Sequence, residues 1–103
     1  MEKQKILNLL GMAQKSGKLI SGDFASETHL RKTTAPLLFI ASDGGNDNKK
    51  KYTFLAERQH IEHVDLFTKE ELGAAIGKGQ RVIVIVNDHG FAKALRKLLC
   101  DME

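Results

Sequence analysis

The chain has 103 residues, of which 42% are hydrophobic and 28% charged, with a formal net charge of +3. This length and balance predict one folded domain over residues 1–103, with enough apolar residues for a core, and they exclude a largely disordered chain. The positive charge is mild, so it permits nucleic-acid binding without requiring it.

The first half of the chain alternates helix and strand. Hydrophobic periodicity and turn residues predict, in chain order, a helix over residues 3–15, an extended segment at 18–20, a helix that begins at 22–23 and fades near 33–34, and a strand over 37–41. The second helix ends there because Pro36 disfavours helical geometry at the residue before it. The continuously apolar run 37–41 is typical of a strand buried on both faces.

The second half continues the alternation. It contains a turn-rich loop at 42–48, a helix with Tyr52, Leu55 and Ala56 on its inner face, a strand over 61–67, a short helix after Thr68, a strand over 82–86 and a last helix begun by Asn87 and Asp88. Helices alternating with buried strands predict an α/β fold, a three-layer sandwich around a small and largely parallel sheet. Three lysines at 49–51 lie near a helix start, where cations oppose the helix dipole, so helix stability alone does not account for them.

The segment 72–81 is the most informative part of the chain. Residues 68–71, Thr-Lys-Glu-Glu, have the form of a capping box, and Gly77 and Gly79 end the short helix that follows. Lys78, Gln80 and Arg81 then lie on a flexible loop directly before an apolar strand. Such a loop suits contact with a phosphate backbone and unpaired bases, and it offers no obvious catalytic group.

Further basic residues lie near the start of the second helix. Lys15 and Lys18 flank the turn before it, and Gly22 at its start has no side chain to keep another backbone away from free N–H groups. If these residues meet Lys78 and Arg81 at one end of the domain, they form a compact electropositive site. The alternative is scattered, solvated surface charge.

Catalytic, metal and cofactor sites have weaker support. Asp43, Asp88 and His89 follow predicted strands, where ligands gather in open α/β sheets, but such residues more often cap the next helix. The histidines lack metal-site spacing, and no P-loop is present, so we expect no metal, cofactor or catalytic residue. Because the single cysteine, Cys100, has no partner for an internal disulfide and no membrane or signal segment is evident, we expect a cytoplasmic protein.

Several motifs together resemble a known family. The order of elements, Gly22 opening the second helix, the strand end at 40–43, and above all Glu71-Leu-Gly-Ala-Ala-Ile-Gly-Lys78 resemble the kink-turn RNA-binding ribosomal proteins of the large-subunit L7Ae type. The strand 82–86 followed by Asp88-x-Gly-Phe-Ala-Lys93 is similar to their small bacterial, YlxQ-like branch. The resemblance covers nearly the whole chain.

The resemblance implies a fold and a site. It implies an α–β–α sandwich with a four-stranded mixed sheet, and RNA bound at the start of the second helix together with the loop after the fourth helix. In this sequence Gly22 corresponds to the glycine that allows close RNA approach. The variable recognition loop corresponds to Lys78, Gln80 and Arg81.

The second helix departs from the family pattern. Kink-turn binders show Gly-x-Asn-Glu-x-x-Lys there, and this chain has Phe24, Ala25 and Thr28 in the Asn, Glu and Lys places. Phe24 has two interpretations, as an aromatic ring that stacks on an unpaired base or as a core residue at the helix start. A shifted register would instead bring Asp23 or Glu27 to the RNA.

These observations predict a non-catalytic, monomeric RNA-binding protein that recognises structured RNA, either kink-turn-like or bulged, with a link to the ribosome or translation. Two alternatives remain. The first is a protein-interaction module on the same fold that has lost kink-turn specificity, and the second is a small nucleotide-binding enzyme using Asp43, Asp88 and His89.

Overall fold

The computed structural model describes residues 2–102, with no description of the Glu2 side chain, and its helices and strands alternate as predicted. In chain order they are α1 (Glu2–Lys15), β1 (Leu19–Ser21), α2 (Asp23–Lys32), β2 (Leu37–Ile40), α3 (Asn46–Arg58), β3 (Glu62–Val64), α4 (Lys69–Ala75), β4 (Ile83–Val86) and α5 (His89–Asp101). No helix within residues 2–102 is long and apolar enough to cross a membrane.

The strands form one four-stranded mixed sheet in the order β1-β4-β2-β3. β2 and β3 are parallel, but β4 is antiparallel to both β1 and β2. The prediction of a largely parallel sheet was therefore wrong, whereas the mixed sheet implied by the family resemblance is confirmed. After α4 the chain turns back along that helix, where the Arg81 N–H donates to the Lys69 carbonyl oxygen (3.0 Å). It thus re-enters the sheet at the end where β3 stopped, and β4 runs the opposite way.

Apolar residues fill both faces of the sheet. On one face, Leu37 and Phe39 of β2 pack in a core with residues of α1, α4 and α5. On the other face, Leu38 and Ile40 pack with residues of α2 and α3. All of β2 and β4 is buried, as predicted from their continuous apolar runs, and each large aliphatic side chain buried in this way contributes roughly 1.5–3 kcal/mol to folding. The three-layer sandwich is confirmed.

Side-chain caps mark the starts of α4 and α5. The Thr68 side chain accepts a hydrogen bond from the Glu71 N–H (3.1 Å), and the Glu71 carboxylate accepts one from the Thr68 N–H (2.9 Å), so the predicted capping box is present. Asp88 caps α5 by accepting a hydrogen bond from the Phe91 N–H (2.8 Å).

Two boundaries differ most from the prediction. α3 begins at Asn46, inside the predicted loop 42–48, and β3 ends at Val64 instead of continuing to residue 67. β3 is an edge strand that pairs only with β2, and this pairing ends at Val64, which lies opposite Phe39. Beyond that point the side chain of Leu66 is exposed and that of Phe67 is buried.

Candidate nucleic-acid interface

Strand register brings three segments to one end of the sheet. Ser21 at the end of β1 lies opposite Val84, and Ile40 at the end of β2 lies opposite Ile83. The segments that follow β1 and β2 and the segment that precedes β4 therefore meet. We call this region the loop end, and it comprises residues 22–25, 42–45 and 77–82.

The first turn of α2 is open to a ligand. Gly22 has φ 91° and ψ 143° and provides no side-chain cap, and the first intrahelical hydrogen bond runs from the Ser26 N–H to the Gly22 carbonyl oxygen (3.0 Å). No group in residues 2–102 accepts a hydrogen bond from the N–H groups of residues 23–25. These donors and the positive end of the helix dipole favour an anion at this position.

Phe24 projects into solvent from this turn. Its side chain is 86% exposed, which makes it the most exposed of the large hydrophobic residues that are described. The interpretation of Phe24 as a core residue is therefore wrong. α2 presents Ser26 and Leu30 to the interior, and Phe24 lies about 200° around the helix from Ser26. Ala25 is also exposed, and Thr28 is half-buried.

Asp23 and Glu27 face α3. The Lys51 ammonium lies 3.1 Å from the Asp23 carboxylate and 2.9 Å from the Glu27 carboxylate. The Tyr52 hydroxyl contacts the Asp23 carboxylate and lies 3.0 Å from the Asp23 carbonyl oxygen. The Tyr52 hydroxyl first, and then Lys51, lower the pKa of Asp23, while Lys51 and then Arg31 lower that of Glu27. Both carboxylates are thus ionised and engaged within the protein.

The basic loop folds back on α4. The Lys78 N–H donates to the Gly73 carbonyl oxygen (2.9 Å), and a Cβ atom added at Gly73 would lie 2.1 Å from the Gly79 carbonyl oxygen. Only glycine at position 73 allows this contact. The glycine of the Leu-Gly motif therefore shapes the loop. It leaves the side chains of Lys78 and Gln80 exposed.

The Arg81 side chain partly stabilises the loop to which it belongs. Its guanidinium donates to the carbonyl oxygens of Gly79 (3.2 Å) and Gln80 (3.0 Å). The Arg81 Nε atom is buried and has no hydrogen-bond partner within residues 2–102. Arg81 is half-buried, so it presents only part of its cationic group to a ligand at the loop end.

The structure divides the expected basic cluster. The Lys18 carbonyl oxygen accepts a hydrogen bond from the Asn87 N–H (2.8 Å), which places Lys18 at the opposite end of the sheet from the loop end. The extended chain takes four steps, about 13 Å, from Lys18 to Gly22. Lys15 lines a groove of about 680 Å³ between α1 and α4, which Gly77 also lines. Lys15 and Gly77 therefore share one groove, whereas Lys18 is remote from the loop end.

Sequence reasoning overlooked Lys69 in this region. Its N–H donates to the Asp43 carboxylate (2.8 Å) and its carbonyl oxygen accepts from the Arg81 N–H, so its backbone joins two segments of the loop end. Asp43 thus serves the N-terminus of α4. Asp88 and His89 follow β4 at the other end of the sheet, so the three residues of the enzyme alternative do not converge.

The hydrogen-bond donors of the loop end are backbone N–H groups together with basic and amide side chains. Within residues 2–102, no three histidine, cysteine, aspartate or glutamate side chains lie close enough together to hold a metal ion. Besides free backbone N–H donors, the loop end exposes the side chains of Phe24, Lys78 and Gln80 and the carboxylates of Asp23 and Asp43, which accept hydrogen bonds within the protein. Cations, N–H donors and aromatic rings are the groups by which proteins contact phosphates and stack on bases.

The fold and the loop end together define a three-layer α–β–α protein with a basic, glycine-shaped loop beside an open helix start. A profile of the "Ribosomal protein L7Ae/L30e/S12e/Gadd45 family" matches residues 4–96. The chain belongs to this family.

Two similar proteins carry the same name. The "RNA-binding protein YlxQ" of Enterococcus faecium is 35% identical over 97 residues, which cover 94% of this chain and 93% of that protein. The "RNA-binding protein YlxQ" of Bacillus subtilis (strain 168) is 33% identical over 91 residues, which cover 88% of this chain and 91% of that protein. The recognition of the family and of its YlxQ-like branch is confirmed.

Solved structures share the fold. A protein of unknown function from Bacillus halodurans C superposes with a TM-score of 0.85 at 31% identity, covering 93% of this chain and 97% of that one. The Giardia lamblia 15.5kD RNA binding protein superposes with a TM-score of 0.77 at 16% identity, covering 97% of this chain and 86% of that one. The second likeness concerns the fold alone.

Proposed function

We propose that this protein is a non-catalytic RNA-binding protein that recognises a structured RNA with an unpaired base beside a helical segment. The observation that carries the proposal is the Phe24 ring, 86% exposed at an uncapped helix N-terminus on the same end of the sheet as the basic loop. A ring this exposed contributes little to folding, and aromatic stacking is a common means of holding unpaired RNA bases. The names of the YlxQ relatives support this proposal.

Each group at the loop end has a role in the proposal. Gly22 allows the RNA backbone to come close, and the free N–H groups of residues 23–25 receive a phosphate oxygen. Lys78 and Arg81 contact further phosphates, and Gln80 reaches a base edge. Lys15 contacts RNA that continues into the α1–α4 groove.

The α2 segment determines the type of RNA. Phe24 and Ala25 replace the Asn and Glu that read sheared G·A pairs in kink-turn binders, so a stacked, bulged base takes the place of strict G·A recognition. Thr28 replaces the lysine that meets the RNA backbone, which makes the loop 77–82 the main source of phosphate contacts. We place this activity in the cytoplasm, in a monomer that binds ribosomal or translation-linked RNA.

Fluorescence-anisotropy titrations over a range of salt concentrations test the proposal. The probes are a hairpin RNA with a three-nucleotide bulge, a kink-turn RNA and a blunt duplex of equal length. The Lys78→Ala/Arg81→Ala variant should bind the bulged hairpin about tenfold more weakly, and its plot of log K against log salt should be shallower by roughly 1.4–1.8.

The matched control is Lys93→Ala/Lys97→Ala, which removes two exposed cations from α5. It should retain nearly wild-type affinity and slope. If the two double variants lowered RNA affinity equally, binding would depend only on the net positive charge of the protein, and the site assignment would be contradicted. Absence of wild-type binding to either structured RNA above the duplex background would favour the protein-interaction alternative, for which the exposed Phe24 would be the contact.

A further inference from the structure

Two carboxylates lie beside the proposed RNA site. Asp23 directly follows Gly22, and Glu27 lies one turn further along α2. A carboxylate in the first turn of a helix repels phosphate and competes with it for the free N–H groups. The position of these two side chains therefore affects whether the helix start can receive RNA.

Two residues of α3 determine that position. The Lys51 ammonium bridges the Asp23 and Glu27 carboxylates at 3.1 and 2.9 Å. Lys51 also lies over the Tyr52 ring, 4.9 Å from its centroid. The Tyr52 side chain is fully buried, and its hydroxyl contacts both the carboxylate and the carbonyl oxygen of Asp23. Adjacent residues of α3 thus hold the first turn of α2 from the side.

We infer that Lys51 and Tyr52 are positioning residues for RNA binding at the loop end: they draw the carboxylates of Asp23 and Glu27 against α3 and leave Phe24 and the first N–H groups of α2 open to RNA. This inference rests on the proposed function. It also gives a role to one of the three lysines at 49–51, although these lie in the second turn of α3 and not at its start, because the helix begins at Asn46.

The charges in this cluster balance. Glu27 also pairs with Arg31 at 2.9 Å, so two carboxylates face two cations. Loss of the Lys51 ammonium leaves one uncompensated negative charge beside the helix start, and exposed charges interact over a Debye length of about 10 Å at 0.1 M salt. Two of the three Lys51 donor protons face the carboxylates, so the ammonium acts chiefly within the protein.

The test compares three variants on the fluorescein-labelled bulged hairpin at about 0.1 M salt. Lys51→Met, which keeps the apolar stem, should bind about 3- to 10-fold more weakly than wild type. Adding Asp23→Asn and Glu27→Gln to Lys51→Met should restore wild-type affinity or better, because the repelling charges are gone. Arg96→Met is the matched control. This substitution removes the cation of α5 that forms a 2.8 Å ion pair with Glu62 of β3. The variant should bind RNA within about twofold of the wild-type affinity.

A second measurement does not depend on RNA. In Tyr52→Phe, the amide proton of Ser26, which is hydrogen-bonded to the Gly22 carbonyl oxygen (3.0 Å), should exchange faster than in wild type, while those of β4 remain protected. Circular dichroism before each titration shows that the variants are folded. Unchanged exchange at the first turn of α2 would contradict the positioning role of Tyr52.

The outcomes separate the two proposals. If Lys51→Met binds like wild type, or if the triple variant remains as weak as Lys51→Met, the positioning inference is wrong, and in the second case Lys51 contacts RNA directly. If wild type fails to bind, or if Lys78→Ala/Arg81→Ala binds normally, the proposed function fails and the inference falls with it.

Discussion

Replacing Phe24 by alanine should weaken RNA binding while leaving the free energy of unfolding nearly unchanged. With 86% of the side chain already exposed, folding buries only about 30 Å² of the roughly 200 Å² that a phenylalanine can bury. At about 25 cal/mol per Å², Phe24→Ala should lower the free energy of unfolding by only about 0.7 kcal/mol. A core phenylalanine such as Phe39, which is fully buried, would lose about 3–5 kcal/mol in the same change.

RNA binding should respond far more strongly. Stacking on an aromatic side chain contributes about 1–3 kcal/mol per base, so Phe24→Ala should weaken binding of the bulged hairpin by roughly 5- to 150-fold. Phe24→Trp should retain most of the affinity because it keeps a stacking surface. Urea unfolding and fluorescence anisotropy on the same preparations measure the two quantities.

The chain offers a control for surface aromatics in general. Phe54 on α3 is 60% exposed, and Phe54→Ala should leave RNA affinity unchanged. The reasoning would be refuted if Phe24→Ala lost more than about 2 kcal/mol of stability, since that would mean the ring is packed. It would equally be refuted if Phe24→Ala and Phe54→Ala had the same effect on RNA affinity.

Three further changes test the surrounding structure. Gly73→Ala should lower the unfolding free energy by about 1–3 kcal/mol in urea and also weaken RNA binding, because its Cβ would collide with the Gly79 carbonyl and displace the loop; a fully stable variant would contradict this packing. Gly22→Ala meets open space but requires a strained φ of 91°, so it should cost about 1–2 kcal/mol of stability by the same measurement, and a neutral result would mean that the backbone relaxes. Asp23, whose pKa is lowered chiefly by the Tyr52 hydroxyl, contributes stability that is present above its unfolded pKa of about 3.9 and is lost as pH falls through its folded pKa. Asp23→Asn should therefore be less stable than wild type near pH 7 and approach it below about pH 4, and parallel stability curves from pH 7 to 2 would exclude this linkage.

Features encoded by neighbouring residues could be predicted from the sequence. The capping box joins Thr68 and Glu71 within one turn, and Pro36 ends a helix through its effect on the preceding residue. The apolar run of β2 predicts a strand buried on both faces for an equally local reason. The sequence is sufficient to predict each of these features, because the interacting groups are only a few residues apart.

Long-range features could not be predicted in this way. The ion pair of Asp23 with Lys51 spans 28 residues, and the direction of β4 depends on how the loop 77–82 returns along α4. The exposure of Phe24 depends on local helix geometry, yet it could not be predicted from the sequence either. The burial of Ser26 and Leu30 defines the inner face of α2, but a polar serine gives no apolar signal from which that face could be recognised.

The two parts of the loop end differ in what constrains their sequence. Gly73 is required by the backbone of Gly79, which lies too close for any side chain, and this requirement does not depend on which RNA is bound. Phe24 and Ala25 are exposed, so packing restricts their side chains little and a ligand can select them. Under the proposed function, the family marker in α4 therefore shapes the loop that contacts phosphates, whereas the first turn of α2 carries the base preference. Because this chain keeps the marker and alters the first turn of α2, we expect it to bind RNA through the same two segments while stacking on an unpaired base in place of sheared G·A recognition.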